Sequence, residues 1–175
     1  MPSGKTFYVC VYVDDVIIAT DDGETRLEFL KHCKKEFPAK TMSSENAFSF
    51  LCMAISFDYE NKIIKLDNSR YIKELSDNYG IKDDNSMPYG PNFMSSDPQD
   101  IAMSDIRKYK SLIMSLFYVA KRTRPDILFA VSYLATKCSE PTQNDYNKTL
   151  RILSYLKSTH DMKITLRYDN QRSKR

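Results

Sequence analysis

The chain has 175 residues, 42% of them hydrophobic, and no apolar run near the roughly 18 residues of a membrane span, which predicts one or two small lobes and no membrane partner. Its four cysteines form no CxxC pair and its two histidines lie far apart, which predicts reduced thiols in an intracellular, cytoplasmic or nuclear protein and argues against a zinc site. The net charge of +3 is uneven, because residues 1–99 hold 11 basic and 16 acidic side chains whereas residues 100–175 hold 15 and 7. The basic part is suited to a polyanion such as nucleic acid, or is simply a solvated helical surface.

An acidic pair interrupts the first strand-forming segment. Residues 7–13 and 16–20 are rich in Val, Ile and Tyr and flank Asp14 and Asp15, which predicts a β-hairpin whose turn is the acidic pair. Adjacent carboxylates repel each other, and Mg²⁺ is a natural cation for them because it binds one or two carboxylates together with substrate phosphates. The pair is therefore either a metal site for nucleotidyl transfer or a solvated turn with no catalytic role.

A helix, a second β segment and another helix follow the hairpin. Asp21 and Glu24 have the spacing of a capping box, and the amphipathic helix that they begin ends at Pro38. Residues 47–67 alternate well enough for two strands, and residues 69–79 carry apolar side chains at helical spacing. These patterns predict an α+β fold of antiparallel hairpins plus helices.

The rest of the chain is predicted to be helical and basic. Residues 82–104 contain three of the seven prolines among Asn, Asp and Ser, which predicts a linker or an extended crossing segment. Residues 105–168 carry three stretches of helical periodicity and end in a short strand over residues 162–168. The basic tail at 169–175 is predicted to be disordered.

Three segments resemble one protein family. Tyr12-Val13-Asp14-Asp15, in its apolar setting, resembles the Y-x-D-D hairpin of reverse transcriptases of the Ty1/copia group of retrotransposons. The segment that begins FLCMAISF is similar to the family's F-L-G primer-grip hairpin, and YKSLIMSLFYVAKRTRPDI resembles its Y-R-S-L-I-G-S-L-L-Y-L-A-x-x-T-R-P-D-I region. The likeness covers about residues 6–168 in the family's order, and on it the chain is identified as a C-terminal part of such a reverse transcriptase.

The resemblance implies an RNA-directed DNA polymerase fold and its functional residues. Residues 1–81 would be a partial palm and residues 105–168 a thumb- or connection-like region that follows an RNA–DNA duplex or RNA. Asp14 and Asp15 would be the catalytic Mg²⁺ ligands, and Tyr12 would contact the primer terminus. The primer-binding loop would comprise Phe50, Leu51, Cys52 and Met53.

The basic helices contain a weaker set of candidate residues. Lys121, Arg122 and Arg124 are candidate phosphate contacts. The Arg124-Pro125-Asp126 sequence has an alternative reading as a helix start, in which Asp126 interacts favourably with its own first turn. For Arg124 the helix-start interpretation is the favoured one.

The chain also departs from the family's pattern. The family places its fingers and a palm strand with another metal-binding aspartate before the hairpin, and an RNase H domain after the matched region. Cys52 and Met114 stand where the family has glycine. Because Mg²⁺ affinity depends on the complete set of oxygen ligands, we expect no polymerase activity from the chain alone.

One consequence and two alternatives follow. A palm that lacks its other strands has an exposed edge, which predicts a homodimer or a larger complex. One alternative is a domesticated, non-catalytic module that binds nucleic acid or protein. Another is a stand-alone metal-dependent nuclease, which needs a further acid and a general base, and for which only Asp21 and Asp22 lie nearby in sequence.

Overall fold

The computed structural model of the protein describes residues 6–38, 46–82, 84–95 and 99–168, and the predicted basic tail lies outside them. The chain divides into an N-terminal unit, Met1–Leu51, and a C-terminal unit, Cys52–Arg175. Antiparallel strands and five α-helices in the described residues establish the α+β class. None of the helices in these residues is both long enough and apolar enough to cross a membrane.

The N-terminal unit is built around one hairpin. Its elements are β1 (Phe7–Tyr12), β2 (Asp15–Thr20), α1 (Gly23–Glu36) and β3 (Ala47–Phe50). β1 and β2 pair antiparallel, with Tyr12 opposite Asp15. The prediction that Asp14 and Asp15 form the turn is therefore wrong by one residue: the turn is Val13-Asp14, because Asp15 belongs to the β2 ladder.

Helix α1 begins one residue later than its capping pattern predicts. Asp22, not Asp21, is the N-cap, and its carboxylate accepts the Glu24 N–H at 3.3 Å and the Thr25 Oγ1–H at 2.5 Å. Glu24 is then at the second helical position, one short of the position that a reciprocal capping box requires. The helix fully buries none of its side chains, so its predicted apolar stripe is at most half-buried.

The C-terminal unit contains a sheet and four helices. Its elements are β4 (Met53–Asp58), β5 (Ile63–Asp67), α2 (Ser69–Asn78), α3 (Ile106–Arg122), α4 (Leu128–Ala135), α5 (Gln143–Ser158) and β6 (Ile164–Arg167). β5 pairs antiparallel with both β4 and β6. Residues 47–67 thus form three strands instead of the predicted two, because Leu51 and Cys52 adopt left-handed conformations with φ values of 50° and 57° that end β3.

The core of this unit follows the helical periodicity of the sequence. The predicted core face of α3 is buried along its whole length, and the opposing helices contribute buried Ile, Val and Leu side chains. The Tyr109 hydroxyl, also buried, donates to the Leu134 carbonyl at 2.7 Å. Because each fully buried side chain of Leu size contributes about 1.5–3 kcal/mol, this core stabilises the unit strongly.

The segment predicted as a linker packs against the helices. We call its described residues 84–95 and 99–104 the strap. Phe93 and Met103 are buried, and the Met103 N–H donates to the Pro141 carbonyl at 2.8 Å. The Asn85 side chain donates to Ser154 Oγ at 2.9 Å. The Pro, Asn and Ser content of the strap predicts irregular backbone, but composition does not predict whether that backbone packs against the helices.

Candidate metal and nucleic-acid site

The two aspartates of the hairpin occupy different positions. Asp14 is the second turn residue, whereas Asp15 is the first residue of β2. The Asp15 carboxylate accepts the Leu51 N–H at 3.4 Å, a long hydrogen bond that directs it towards the turn after β3. Asp15 of the predicted metal site and Leu51 of the predicted primer-binding loop are thus neighbours within the N-terminal unit.

The donor set of the acidic pair suits Mg²⁺ only in part. Carboxylate oxygens are the ligands that Mg²⁺ prefers, and it takes six oxygens in octahedral geometry. Within the residues that the structure describes, no group of three or more His, Cys, Asp or Glu side chains is placed to hold a metal ion. The pair therefore offers at most two protein carboxylates here, and the predicted nuclease would also lack its further acid in this part of the chain.

The turn at the hairpin tip and the turn after β3 both contain strained backbone. Val13 has a φ of 52°, and its β-branched side chain makes this conformation an outlier. Leu51 and Cys52 are also left-handed without being glycine, which costs about 1–2 kcal/mol per residue. Strained residues persist where the surrounding structure fixes them, and they cluster at functional sites.

A buried polar network fixes the second of these turns from within the C-terminal unit. The Asn68 side chain donates to the Cys52 carbonyl at 3.1 Å and accepts the Thr123 hydroxyl at 2.9 Å. Asn68 and Thr123 are both buried. Of the four predicted primer-binding residues, Phe50 and Met53 are buried, Leu51 is half-buried and Cys52 is exposed. Side-chain contacts with a ligand from this turn would therefore come from Leu51 and Cys52.

The last turn of α3 presents two of the predicted phosphate contacts. Lys121 is exposed, with Nζ 5.0 Å from the centre of the Phe117 ring, and Arg122 lies 5.5 Å from the Tyr118 ring. No carboxylate in the described part of the chain forms an ion pair with either residue. The helix contains Lys and Arg but no Asp or Glu. Its surface is therefore suited to an anionic ligand, although cations at a helix C-terminus also interact favourably with the helix dipole.

Arg124 differs from these two residues because it is buried, with 2% of its surface exposed. Its guanidinium binds the Asp126 carboxylate through two hydrogen bonds of 3.0 and 2.8 Å and donates to the Thr159 carbonyl at 2.9 Å. The Tyr155 hydroxyl donates to the same carboxylate at 2.8 Å. Burial would raise the pKa of Asp126, but the hydrogen bonds from Arg124 and Tyr155 outweigh it and lower that pKa. These contacts give Arg124 a structural role, and Asp126 pairs with it at the start of a 3₁₀ turn.

The strands that carry the site expose apolar side chains. Tyr8, Val11 and Tyr12 of β1 and Val16 of β2 are all exposed. Phe50 is the one buried side chain among the described residues of the N-terminal unit. Exposed apolar surface of this kind is typical of a region that binds another chain or a ligand.

The sequence is similar to proteins of retrotransposons. It is 29% identical over 170 residues to the retrovirus-related Pol polyprotein from transposon RE1 of Arabidopsis thaliana, covering 95% of this chain and 11% of the polyprotein. It is 27% identical over 154 residues to an uncharacterized mitochondrial protein of Arabidopsis thaliana, covering 87% of this chain and 62% of that protein. It is 25% identical over 174 residues to a Saccharomyces cerevisiae protein assigned to transposon Ty5-1, covering 97% of this chain and 54% of that protein.

These similarities establish a distant relationship to retrotransposon Pol polyproteins, in agreement with the Ty1/copia resemblance of the motifs. The chain spans less than two thirds of the length of each of these three relatives. No protein-family model and no solved structure matches it.

Proposed function

We propose that the chain is a reverse-transcriptase fragment of retrotransposon origin, with a partial palm over residues 1–81 and thumb- or connection-like helices over residues 105–168. The observation that carries this proposal is the hairpin with Tyr12-Val13-Asp14-Asp15 at its tip, in which Tyr12 pairs with Asp15 and the Asp15 carboxylate contacts the turn after β3. The distant relationship to Pol polyproteins supports the same assignment.

In this proposal Asp14 and Asp15 are ligands of Mg²⁺. The bound ion would stabilise the attacking and leaving oxygens of nucleotidyl transfer. Because the described residues offer no third carboxylate beside the pair, the site is completed by a carboxylate from elsewhere, on another polypeptide or on another part of a longer protein. The chain by itself therefore does not polymerise DNA.

The nucleic-acid ligand in this proposal is an RNA–DNA duplex or RNA. Tyr12 and the accessible residues of the turn after β3 contact the primer end, and Lys121 and Arg122 bind backbone phosphates. Arg124 is left out of this set because its donors are engaged in the interior.

The protein partner in this proposal pairs with the exposed hairpin. β1 and β2 form a two-stranded sheet with apolar side chains exposed, and an unpaired edge of such a sheet accepts another strand. A second copy of the chain or a different polypeptide of a larger complex would supply that strand. The four free cysteines fit an intracellular setting, cytoplasmic or nuclear, for this assembly.

The second candidate function is a domesticated, non-catalytic module that binds nucleic acid or protein. The observation that favours it is the lack of a third metal-ligating side chain near the acidic pair in the described residues. The two candidates differ in what Asp14→Asn does to the assembled complex. Polymerase activity would be lost in the first case, and binding would be unchanged in the second.

Two assays on the purified chain test the proposal. The first is primer extension on an RNA template with Mg²⁺, for which we expect no extension by the chain alone. The second is binding to an RNA–DNA hybrid at several salt concentrations, for which we expect affinity to fall with salt. Replacing both Lys121 and Arg122 with Gln should reduce the slope of log affinity against log salt by about 2, since each lost phosphate contact removes about one unit.

The matched control is the same double replacement in the last turn of α1, Lys34→Gln with Lys35→Gln, which should leave the slope unchanged. Extension by the chain alone that Asp14→Asn abolishes would show a complete polymerase site and contradict the incomplete site proposed here. Absence of hybrid binding would overturn the nucleic-acid role.

A further inference from the structure

Four aromatic rings form a continuous cluster between the strap and α4. The ring centroids of Phe129 and Tyr89 are 5.9 Å apart, those of Tyr89 and Phe93 are 5.1 Å apart, and those of Phe93 and Tyr133 are 5.3 Å apart. All three pairs are tilted and lie within the range of favourable aromatic contacts. We call Tyr89, Phe93, Phe129 and Tyr133 the aromatic patch.

The patch is buried at one point and open to solvent elsewhere. Phe93 is in the core, Tyr89 and Tyr133 are half-buried, and Phe129 is 55% exposed. Met87 and Met94, on the strap beside the cluster in sequence, are also exposed. The strap is held to α4 at this place, because the Tyr133 hydroxyl donates to the Met94 carbonyl at 3.0 Å. The buried Phe93 ring and the half-buried Tyr89 and Tyr133 rings therefore form one cluster with the exposed ring of Phe129, on a fixed backbone.

Two lysines border the patch. Lys137 Nζ is 5.6 Å from the Tyr133 ring, and Lys148 Nζ is 5.9 Å from the Phe93 ring. The Lys148 ammonium also donates to the Ser95 carbonyl at 3.0 Å, which fixes its position at the rim. In the described part of the chain neither lysine forms an ion pair with a carboxylate. The rim of the patch is therefore positively charged.

We propose that the aromatic patch binds single-stranded nucleic acid, with a base stacked on Phe129 and backbone phosphates beside Lys137 and Lys148. This inference rests on the proposed function for its class of ligand, and the residues of the patch are different from those of the hairpin and from Lys121 and Arg122. Bases in a duplex are already stacked on their neighbours, whereas bases of a single strand expose their faces to aromatic side chains. The positive rim favours a polyanion over an apolar protein surface as the occupant.

The test measures the affinity of purified protein for a fluorescein-labelled 12-nucleotide RNA of mixed sequence and for the RNA–DNA hybrid of the same sequence. Phe129→Ala should weaken binding of the single strand about tenfold, which is within the range for loss of one stacking ring, and should leave binding of the hybrid unchanged. Lys137→Gln should reduce the salt slope for the single strand by about 0.7. Far-UV circular dichroism checks that each variant is folded.

The matched control is Phe37→Ala, which removes a ring of similar exposure, 62%, in the N-terminal unit and should change neither affinity. Single-strand affinity that is the same in Phe129→Ala and the wild type would overturn the inference and leave a protein as the occupant of the patch. Equal weakening for the single strand and the hybrid would also overturn it.

A second measurement locates the contact directly. Cross-linking of the same RNA carrying 4-thiouridine should label a peptide that contains Tyr89 or Phe129, and labelling confined to other peptides would contradict the inference. The inference and the proposed function fail separately. If replacing Lys121 and Arg122 with Gln does not change hybrid binding while Phe129→Ala still weakens single-strand binding, the proposed duplex contacts are overturned and the single-strand site is retained.

Discussion

The two compact units of the chain differ in how their amphipathic elements are covered. In the C-terminal unit the apolar face of α3 lies entirely within the core, whereas α1 of the N-terminal unit buries no side chain and its Leu27 is exposed. A hairpin with so little buried surface is only marginally stable in water. Periodicity thus predicts a helix and its apolar face, whereas burial of that face depends on what packs against the helix.

The largest expected effect comes from matched leucines in the two units. Leu116 of α3 is 0% exposed and Leu27 of α1 is 53% exposed. Leu116→Ala should lower the free energy of unfolding by about 3 kcal/mol because it leaves a cavity, and Leu27→Ala should lower it by about 0.5 kcal/mol or less. Urea unfolding followed by circular dichroism measures both. Equal losses would mean that Leu27 is covered and would remove the contrast between the units.

Arg124 provides the next test of the C-terminal unit. Arg124→Ala should lower the free energy of unfolding by about 2–3 kcal/mol, since it removes the guanidinium donor of the Thr159 carbonyl and leaves the Asp126 carboxylate with only the Tyr155 hydroxyl as a side-chain donor. Arg151→Ala, at an exposed position of α5, is the control and should change it by less than about 0.5 kcal/mol. A near-neutral Arg124→Ala would show that the guanidinium is not part of the stabilising interior.

Acid should weaken the same unit through Asp126. Its pKa is lowered in the folded protein, because hydrogen bonds from Arg124 and Tyr155 outweigh the opposing effect of burial. A carboxylate with a lowered native pKa contributes stability that is complete well above its unfolded value of about 3.9 and is lost as the pH falls through the native pKa. Urea unfolding at pH 7, 5 and 3 should therefore show a smaller loss in Asp126→Asn than in the wild type. Identical losses would contradict this linkage.

A gain in stability is expected at the turn after β3. Cys52 has a φ of 57°, so Cys52→Gly should raise the free energy of unfolding by about 0.5–1 kcal/mol by relieving the left-handed strain. Ser56→Gly, inside β4, is the control and should lower it by about 0.5–1 kcal/mol. Destabilisation by Cys52→Gly would indicate that the cysteine side chain itself holds the turn.

The smallest expected effect lies at the hairpin tip. Asp14→Asn should change the free energy of unfolding by only about a few tenths of a kcal/mol, with an increase favoured because repulsion from Asp15 is relieved. Thermal unfolding at neutral pH and low salt measures it. A loss above about 1 kcal/mol would assign the pair a structural role in the N-terminal unit.

The fold was predictable where local pattern and packing agree. The helical spacing of Tyr109, Leu112, Ile113 and Leu116 predicts the face that the structure buries, and the Val, Ile and Tyr content predicts the first hairpin. The turn was misplaced by one residue because strand pairing, not local propensity, sets where a ladder ends. Nothing in local propensity favours the left-handed conformation of Val13.

The candidate site was predictable only as a set of side chains. Adjacent Asp14 and Asp15 are visible in the sequence, whereas the contact of Asp15 with Leu51 joins residues far apart along the chain. The Asn68–Thr123 network has no sequence signal for the same reason. Arg124 carries a partial signal, since Asp126 follows it two residues later, but burial decides that this pair is structural.

The position of β6 has a consequence for the order in which the protein is made. β6 pairs with β5, and the helices α2 to α5 all lie between these strands in the sequence. During synthesis the first hairpin can close soon after it leaves the ribosome, whereas the C-terminal sheet waits for its last strand. A nascent chain halted before Ile164 therefore carries an open β5 edge, the kind of surface that chaperones hold and that other unfinished chains can pair with.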